Sequence, residues 1–432
     1  MANCIIAQSG GPTSVINSSV VGLLHANKDI KAFNKVYAGL NGIEGILNGN
    51  IIDLSSFSDS EINTFRYTPS SGLGSCRYKM KKIEESTEEY DRLLDILKSH
   101  EIKAFFYVGG NDSMDTIAKL GKYSKENNID IKFIGIPKTI DNDLMYTDHT
   151  PGFGSAAKFI ATTALETYLD SSVYINNGIF ILETMGRDTG WLAASACTAR
   201  INGEAIADFI YLPEVAFNIE EFLLDVRKKF EENNKVFIVV SEGIRNSEGK
   251  FITEIESHAH DKFGHAQLGG VGAYLKNLII SSGITNRVKS LELGVLQRCA
   301  IHCASDTDLQ EAFDVGYSAL KFALEGHSGY MVAIKRDSSY NYKTSHALIE
   351  ADKVANNVKY FPKELINERG NHIKEEALDY FLPLISGTSS LLIDNQLPKF
   401  TTIEKSTPKG VFFHSLILSF LHSFIFIPWI FA

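Results

Sequence analysis

Short, continuous runs of apolar residues punctuate the chain at 4–7, 104–108, 133–136, 179–182 and 236–240. None alternates with polar positions, and most are rich in β-branched or aromatic side chains. Such a run reads as a strand buried on both faces, because a half-solvated strand would alternate. The stretches between have a different period. At 88–98 and 219–232 apolar residues recur every three or four positions, the spacing of an amphipathic helix. Strand and helix therefore alternate, which predicts an α/β fold of mainly parallel sheet with helices on both faces. The segment 337–357 is polar and irregular and reads as a surface excursion.

Composition narrows the function classes. With 44% hydrophobic and 22% charged residues over 432 positions, the chain has the makeup of a core-forming protein of one to three domains. Lys plus Arg number 42 against 52 Asp plus Glu, a formal net charge of −10. That balance disfavours a general nucleic-acid partner but leaves room for a small anion held by local basic groups. The five cysteines are widely spaced with no CxxC, which predicts reduced thiols and a cytoplasmic setting. Cys299 and Cys303 would share a face if their stretch is helical. The segment 411–432 holds no Asp, Glu, Lys or Arg. It is long enough to span a bilayer, so membrane contact is expected only if it is a genuine anchor. It carries no expected catalytic role.

The loops after the apolar runs carry the candidate chemistry. In parallel sheets ligands bind beyond the carboxyl ends of the strands. After the first run come Gly10 and Gly11, where bare backbone lets N–H groups approach an anion. After the second come Gly109, Gly110, Asn111, Asp112 and Ser113, which read either as a phosphate and metal cradle or as a helix cap. After the third, Lys138, Thr139, Asp141 and Asp143 fall within six residues. That set supplies a cation for phosphate charge, a hydroxyl, a carboxylate base and a second carboxylate, the ingredients of phosphoryl transfer. Met185-Gly186-Arg187, Ser241-Glu242-Gly243 and Gln297-Arg298 follow in the second half, an arginine suiting phosphate and a glutamate suiting sugar hydroxyls. Neither GxGxxG nor GxxxxGK[ST] occurs, which disfavours a nicotinamide oxidoreductase.

Together these loops resemble the phosphofructokinase family, more closely its pyrophosphate-dependent branch. The matching stretches are QSGGP (8–12), GLGSCR (72–77), VGGNDS (108–113), PKTIDND (137–143), DHTPGFGSA (148–156), ETMGRDTGW (183–191), SEG (241–243) and LGVLQR (293–298). The resemblance implies two Rossmann-like α/β/α sandwich domains. One, 1–153 plus about 297–350, would bind the phosphoryl donor. The other, 154–296 plus about 351–400, would bind the sugar phosphate, with 409–432 outside the fold. It implies transfer of a phosphoryl group to O1 of fructose 6-phosphate, in a homo-oligomer, dimer or tetramer, using Mg²⁺. Asp141 would be the base, with Lys138 and Asp112 completing the catalytic set. Gly11, Arg77, Gly110 and Ser113 would contact the donor. Thr139, Ile140, Asp143, Met185, Gly186, Arg187, Glu242, Lys289 and Arg298 would line the sugar-phosphate site, and Asn111 and Asp112 would hold the metal.

Asp112 and Lys138 stand where ATP-using members carry glycine. A carboxylate at 112 would repel a nucleotide's α-phosphate, and an ammonium at 138 would compensate diphosphate, so the resemblance favours diphosphate as donor. An ATP-dependent kinase is the alternative, as is a catalytically silent sugar-phosphate-binding subunit. The second is motivated by departures from the family pattern: Asn111 for a metal aspartate, Val295 for a histidine, Gly178 for an arginine reaching from a neighbouring subunit, and Lys289 for another arginine, with Arg287 nearby as a substitute.

Overall fold

The structure is a computed structural model that describes residues 2–175, 178–253, 270–401 and 403. The segment 411–432 lies outside the described residues. All five continuous apolar runs are strands, and each is wholly or almost wholly buried. They fall into two sheets. In chain order the strands are β1 (Asn3–Gln8), β2 (Val36–Gly39), β3 (Ile51–Asp53), β4 (Ile102–Gly109), β5 (Lys132–Pro137), β6 (Ile179–Thr184), β7 (Arg200–Ile201), β8 (Glu204–Ala205), β9 (Phe209–Tyr211), β10 (Val236–Ser241), β11 (Val288–Glu292), β12 (Tyr330–Ser338), β13 (Lys343–Glu350), β14 (Ile393–Asp394) and β15 (Leu397–Pro398). The first sheet runs β13-β12-β5-β4-β1-β2-β3 and the second β11-β6-β10-β9. The pairs β7-β8 and β14-β15 are separate two-stranded ribbons.

The second sheet is parallel throughout, and the first is parallel except at its edges, where β12-β13 and β2-β3 are antiparallel. Alternate residues of the central strands face opposite layers. Ile5, Phe105 and Phe133 pack with Leu93 and Leu97 of the helix Glu88–Ser99 and with Ile117 of the helix Asn111–Glu126. In the second sheet Leu182, Phe237 and Val239 face the helix Phe153–Ser171, while Ile181, Ile238 and Val240 face the helices Ile219–Asn233 and Val271–Ser281.

The expectation for 337–357 is corrected here. Residues 343–350 form an edge strand, antiparallel to β12, and a short helix, Ala351–Val354, follows. An edge strand with one solvated face has no need of a continuous apolar run, so KTSHALIE looked like loop. Cys299 follows the 3₁₀ turn Gly294–Arg298 and Cys303 ends a separate one, Ile301–Cys303, so the two do not share a helix face, and all five cysteines are free thiols.

The order of the first sheet places the site. Going outward from β1, the chain moves to β2 on one side, while β4 leads to β5 on the other. The carboxyl ends of β1 and β4 therefore flank the point where the winding reverses, which is where such sheets leave a crevice. Gly10-Gly11 and Gly109-Gly110 lie at that point, and Lys138 follows β5 beside them.

Candidate active site

A cavity of about 710 Å³ lies beyond the carboxyl ends of both sheets. From the first sheet it is lined by Gly10, Gly11, Gly110, Asn111, Asp112, Ser113, Lys138, Thr139, Ile140, Asp141 and Asp143, with Arg77 from the loop before the helix at 88–99. From the second sheet it receives Met185, Arg187, Glu242 and Arg298. Residues far apart in the chain are thus brought to one space. Asp112, Lys138 and Asp141 share it.

Local hydrogen bonds fix these groups. The Lys138 backbone N–H donates to Gly109 O at 3.1 Å, continuing the β4-β5 ladder one residue past its end. Its side chain is 2% exposed, and Nζ donates to the Gly11 carbonyl at 2.5 Å. A Cβ on Gly11 would sit 3.4 Å from a guanidinium nitrogen of Arg298, so that arginine reaches from the second sheet's end to the first turn. Ser113 Oγ donates to Ser9 Oγ at 3.0 Å, tying the two glycine turns together. In the loop after β5 the Asp141 N–H donates to Thr139 Oγ1 at 3.1 Å, and Thr189 Oγ1 donates to Asp141 O at 3.1 Å.

The second-sheet loop is equally constrained. Gly186 has φ +127°, and a Cβ there would lie 2.6 Å from Thr189 O, so only glycine fits. Its N–H donates to Glu242 Oε1 at 3.2 Å, and the Met185 N–H donates to Gln297 Oε1 at 3.2 Å. Gly186 therefore braces Glu242 behind the lining rather than forming it.

Burial sets the charge states. It lowers the Lys138 ammonium to about 8, against the opposing pull of Asp141 and Asp143. It raises the Asp141 carboxyl, an effect moderated by Arg187 and Lys138. Asp143 is pushed up to about 7 by burial and then by the charge of Asp141. Glu242 also rises to about 7, from burial first and Asp141 second. A carboxylate poised closer to neutrality suits proton transfer near pH 7, and the ammonium beside it is still mostly charged there.

Three expectations need correction. Lys289 is not in the cavity: it sits on β11 with a side chain 66% exposed, 3.6 Å from Asp170. Arg287 does not line the cavity either and lies over the Tyr174 ring, 5.6 Å from its centroid. Asn111 reaches the cavity, but its amide is engaged elsewhere. Oδ1 accepts from the Asn356 N–H at 2.5 Å, and Nδ2 donates to Asn357 O at 2.6 Å, which leaves Asp112 as the acidic group of that loop. Gly178 is packed tightly, since a Cβ would lie 2.3 Å from Arg287 O.

Other lining residues were given no role from the sequence: Ser9 and Pro12 within QSGGP, Asp188 within ETMGRDTGW, and Lys79, Asn356 and Val358 outside every quoted stretch. Lys79 follows Arg77 by two residues, a spacing that in an extended segment returns to the same side. Asp188 adjoins Arg187 and bridges it to Arg245, at 3.5 and 2.6 Å. Asn356 and Val358 carry no sequence signal at all.

The family model described as Phosphofructokinase matches residues 3–323, which is most of the chain. The chain belongs to the phosphofructokinase family, in its pyrophosphate-dependent branch. It is 40% identical over 406 residues to the pyrophosphate–fructose 6-phosphate 1-phosphotransferase of Halomonas elongata, covering 93% of this chain and 96% of that one. The protein of the same name from Methylococcus capsulatus is 40% identical over 404 residues, with the same coverage. Among solved structures, the pyrophosphate-dependent phosphofructokinase of Nitrosospira multiformis superimposes with a TM-score of 0.84 at 36% identity, over 95% of this chain and 98% of that one. As a phosphofructokinase the chain carries the expected two-sheet α/β fold.

Proposed function

We propose that this phosphofructokinase transfers a phosphoryl group from diphosphate to O1 of fructose 6-phosphate, as the names of its relatives describe for them. One observation carries the reading: Asp112, Lys138 and Asp141 line a single cavity with Arg187, Glu242 and Arg298 on its other side. Asp141 takes the proton of the 1-hydroxyl as the oxygen attacks. The new P–O bond forms while the bridging P–O bond of diphosphate breaks, and inorganic phosphate leaves. Lys138 and Arg77 neutralise charge on the donor, and Arg187 and Arg298 hold the sugar phosphate. The carboxylate of Asp112 opposes the extra phosphate of a nucleotide.

Among the described residues no group of three His, Cys, Asp or Glu is arranged to hold a metal. Mg²⁺ is commonly held by one or two carboxylates with substrate phosphates, and Asp112 at the cavity rim fits that mode. Asp112 and donor oxygens would hold the ion, which when bound offsets diphosphate charge. We assign donor binding to the half built on the first sheet and sugar binding to the half built on the second. The assignment is supported by the sheets from which the lining residues come. The enzyme is proposed to act in the cytoplasm as a homo-oligomer. Among the described residues no helix is long and apolar enough to cross a membrane.

A coupled assay with diphosphate or ATP as the donor tests the reading. Turnover is expected with diphosphate. Turnover with ATP and none with diphosphate would remove the roles given to Asp112 and Lys138.

A further inference from the structure

Residues 354–361 leave the short helix Ala351–Val354 as a strap, of which Asn356 and Val358 line the cavity. Their backbone meets three functional loops in succession. Asn111, which opens the donor-side helix, bonds to Val354 O, Asn356 N and Asn357 O. The Lys359 N–H donates to Asp143 O at 2.8 Å. Lys359 O accepts from Trp191 Nε1 at 2.9 Å. The Phe361 N–H then donates to Glu214 Oε1 at 2.9 Å, the same oxygen that takes the Gly190 N–H.

Lys359 stands at the middle crossing, and its side chain points into the loop that carries Asp141 and Asp143. Nζ donates to Asn142 Oδ1 at 3.3 Å, Thr147 O at 3.1 Å and Asp148 O at 2.8 Å. It also lies over the Trp191 ring, 5.0 Å from the centroid. Asn142, between the two functional aspartates, has φ +56°, in the left-handed region that asparagine tolerates. Its side chain is held at both ends, by Lys359 Nζ on the amide oxygen at 3.3 Å and by Tyr380 Oη, 2.8 Å from Nδ2. The charged groups around the ammonium are Asp143, Asp148 and Arg336.

We propose that Lys359 is a positioning residue that clamps the 141–148 loop, holding Asp141 and Asp143 in register for phosphoryl transfer while linking that loop to the donor and sugar sides of the cavity. The proposal rests on the phosphotransfer reading above. No sequence motif contains Lys359. Its three acceptors, all from residues 142–148, distinguish it from a lysine that merely fills space.

The test compares purified Lys359→Met and Lys359→Arg with the wild type, reading kcat, KM for each substrate, the pH profile of kcat/KM and Tm. In Lys359→Met, kcat is expected to fall at least about 10-fold, with both KM values within about threefold, because alignment rather than binding is lost. The acid limb of its profile should move to higher pH, since Lys359 is among the groups that favour ionised Asp143. Lys359→Arg, which keeps the charge, should restore the acid limb and most of kcat. A lower Tm in Lys359→Met with kcat and acid limb unchanged would overturn the proposal by making the residue a structural prop. If Lys359→Met does not fold, Lys359→Gln carries the same comparison. Should the wild type fail to use diphosphate, the functional reading falls, and hydrogen exchange across 141–148 then decides the clamp. Faster exchange in Lys359→Met than in Lys359→Arg supports it, and equal exchange overturns it.

Discussion

Lys138 and Asp141 are three residues apart and both reach the cavity, yet their environments push them toward each other's range. The ammonium is lowered to about 8, and Asp143 and Glu242 rise to about 7. On the proposed mechanism, turnover rises as the raised carboxyls of Asp141 and Asp143 ionise and falls as Lys138 loses its charge. A plot of kcat/KM for diphosphate against pH should be a bell, with an acid limb above the usual carboxylate range and an alkaline limb near 8. In Lys138→Gly the alkaline limb should flatten, and kcat/KM for diphosphate should fall more than sugar binding does. Asp141→Ala should lower kcat by about 10²-fold or more, the scale of losing a general base, with the fold intact by circular dichroism. Near-normal turnover would remove it from the mechanism. The raised carboxyl of Asp143 also weakens the empty fold at neutral pH. A group whose pKa is higher when folded contributes stability below its unfolded value and loses it as pH climbs through about 7. Asp143→Asn should accordingly raise Tm at pH 8 while abolishing most turnover.

At the scale of elements, legibility followed solvent. β1, β4, β5, β6 and β10 announced themselves as unbroken apolar runs, and the loops after them carried most of the cavity lining. β9 and the buried start of β12, Met331–Ile334, are equally apolar but were not read as strands, and much of the rest that stayed hidden is partly solvated or held by backbone bonds. β13 looked like loop because it is partly solvated along its length and so lacks a continuous apolar run. The strap at 354–361 has no apolar period, since its bonds use mostly main-chain atoms. Lys289 misled because its alignment with a family arginine places it on β11, where its side chain turns to solvent and Asp170. Further along the segment that follows β5, buried His149 bonds Asp148 through Nδ1 at 2.8 Å and Glu311 through Nε2 at 2.6 Å. Those carboxylates hold the imidazole up to about 9 despite its burial. The stability this gives is full below about 6.5 and is lost as pH rises through about 9. Urea midpoints of wild type and His149→Gln should thus differ most at pH 6 and converge toward pH 9.5. A constant gap would refute the charged state assigned to His149.

For the whole molecule, every lining residue of the cavity falls between 9 and 358. A chain ending at residue 403 should therefore keep the full kcat with diphosphate. A drop of more than about threefold would give the removed segment a part in turnover.

The contact between Lys138 Nζ and the carbonyl of Gly11 has a corollary for affinity. An ammonium has three N–H donors, so this bond occupies one and leaves two to meet an incoming anion. A buried lysine tethered in this way has already given up most of its rotamer freedom. The glycine turn thus aims the side chain before the donor arrives, and little ordering remains to be done on binding.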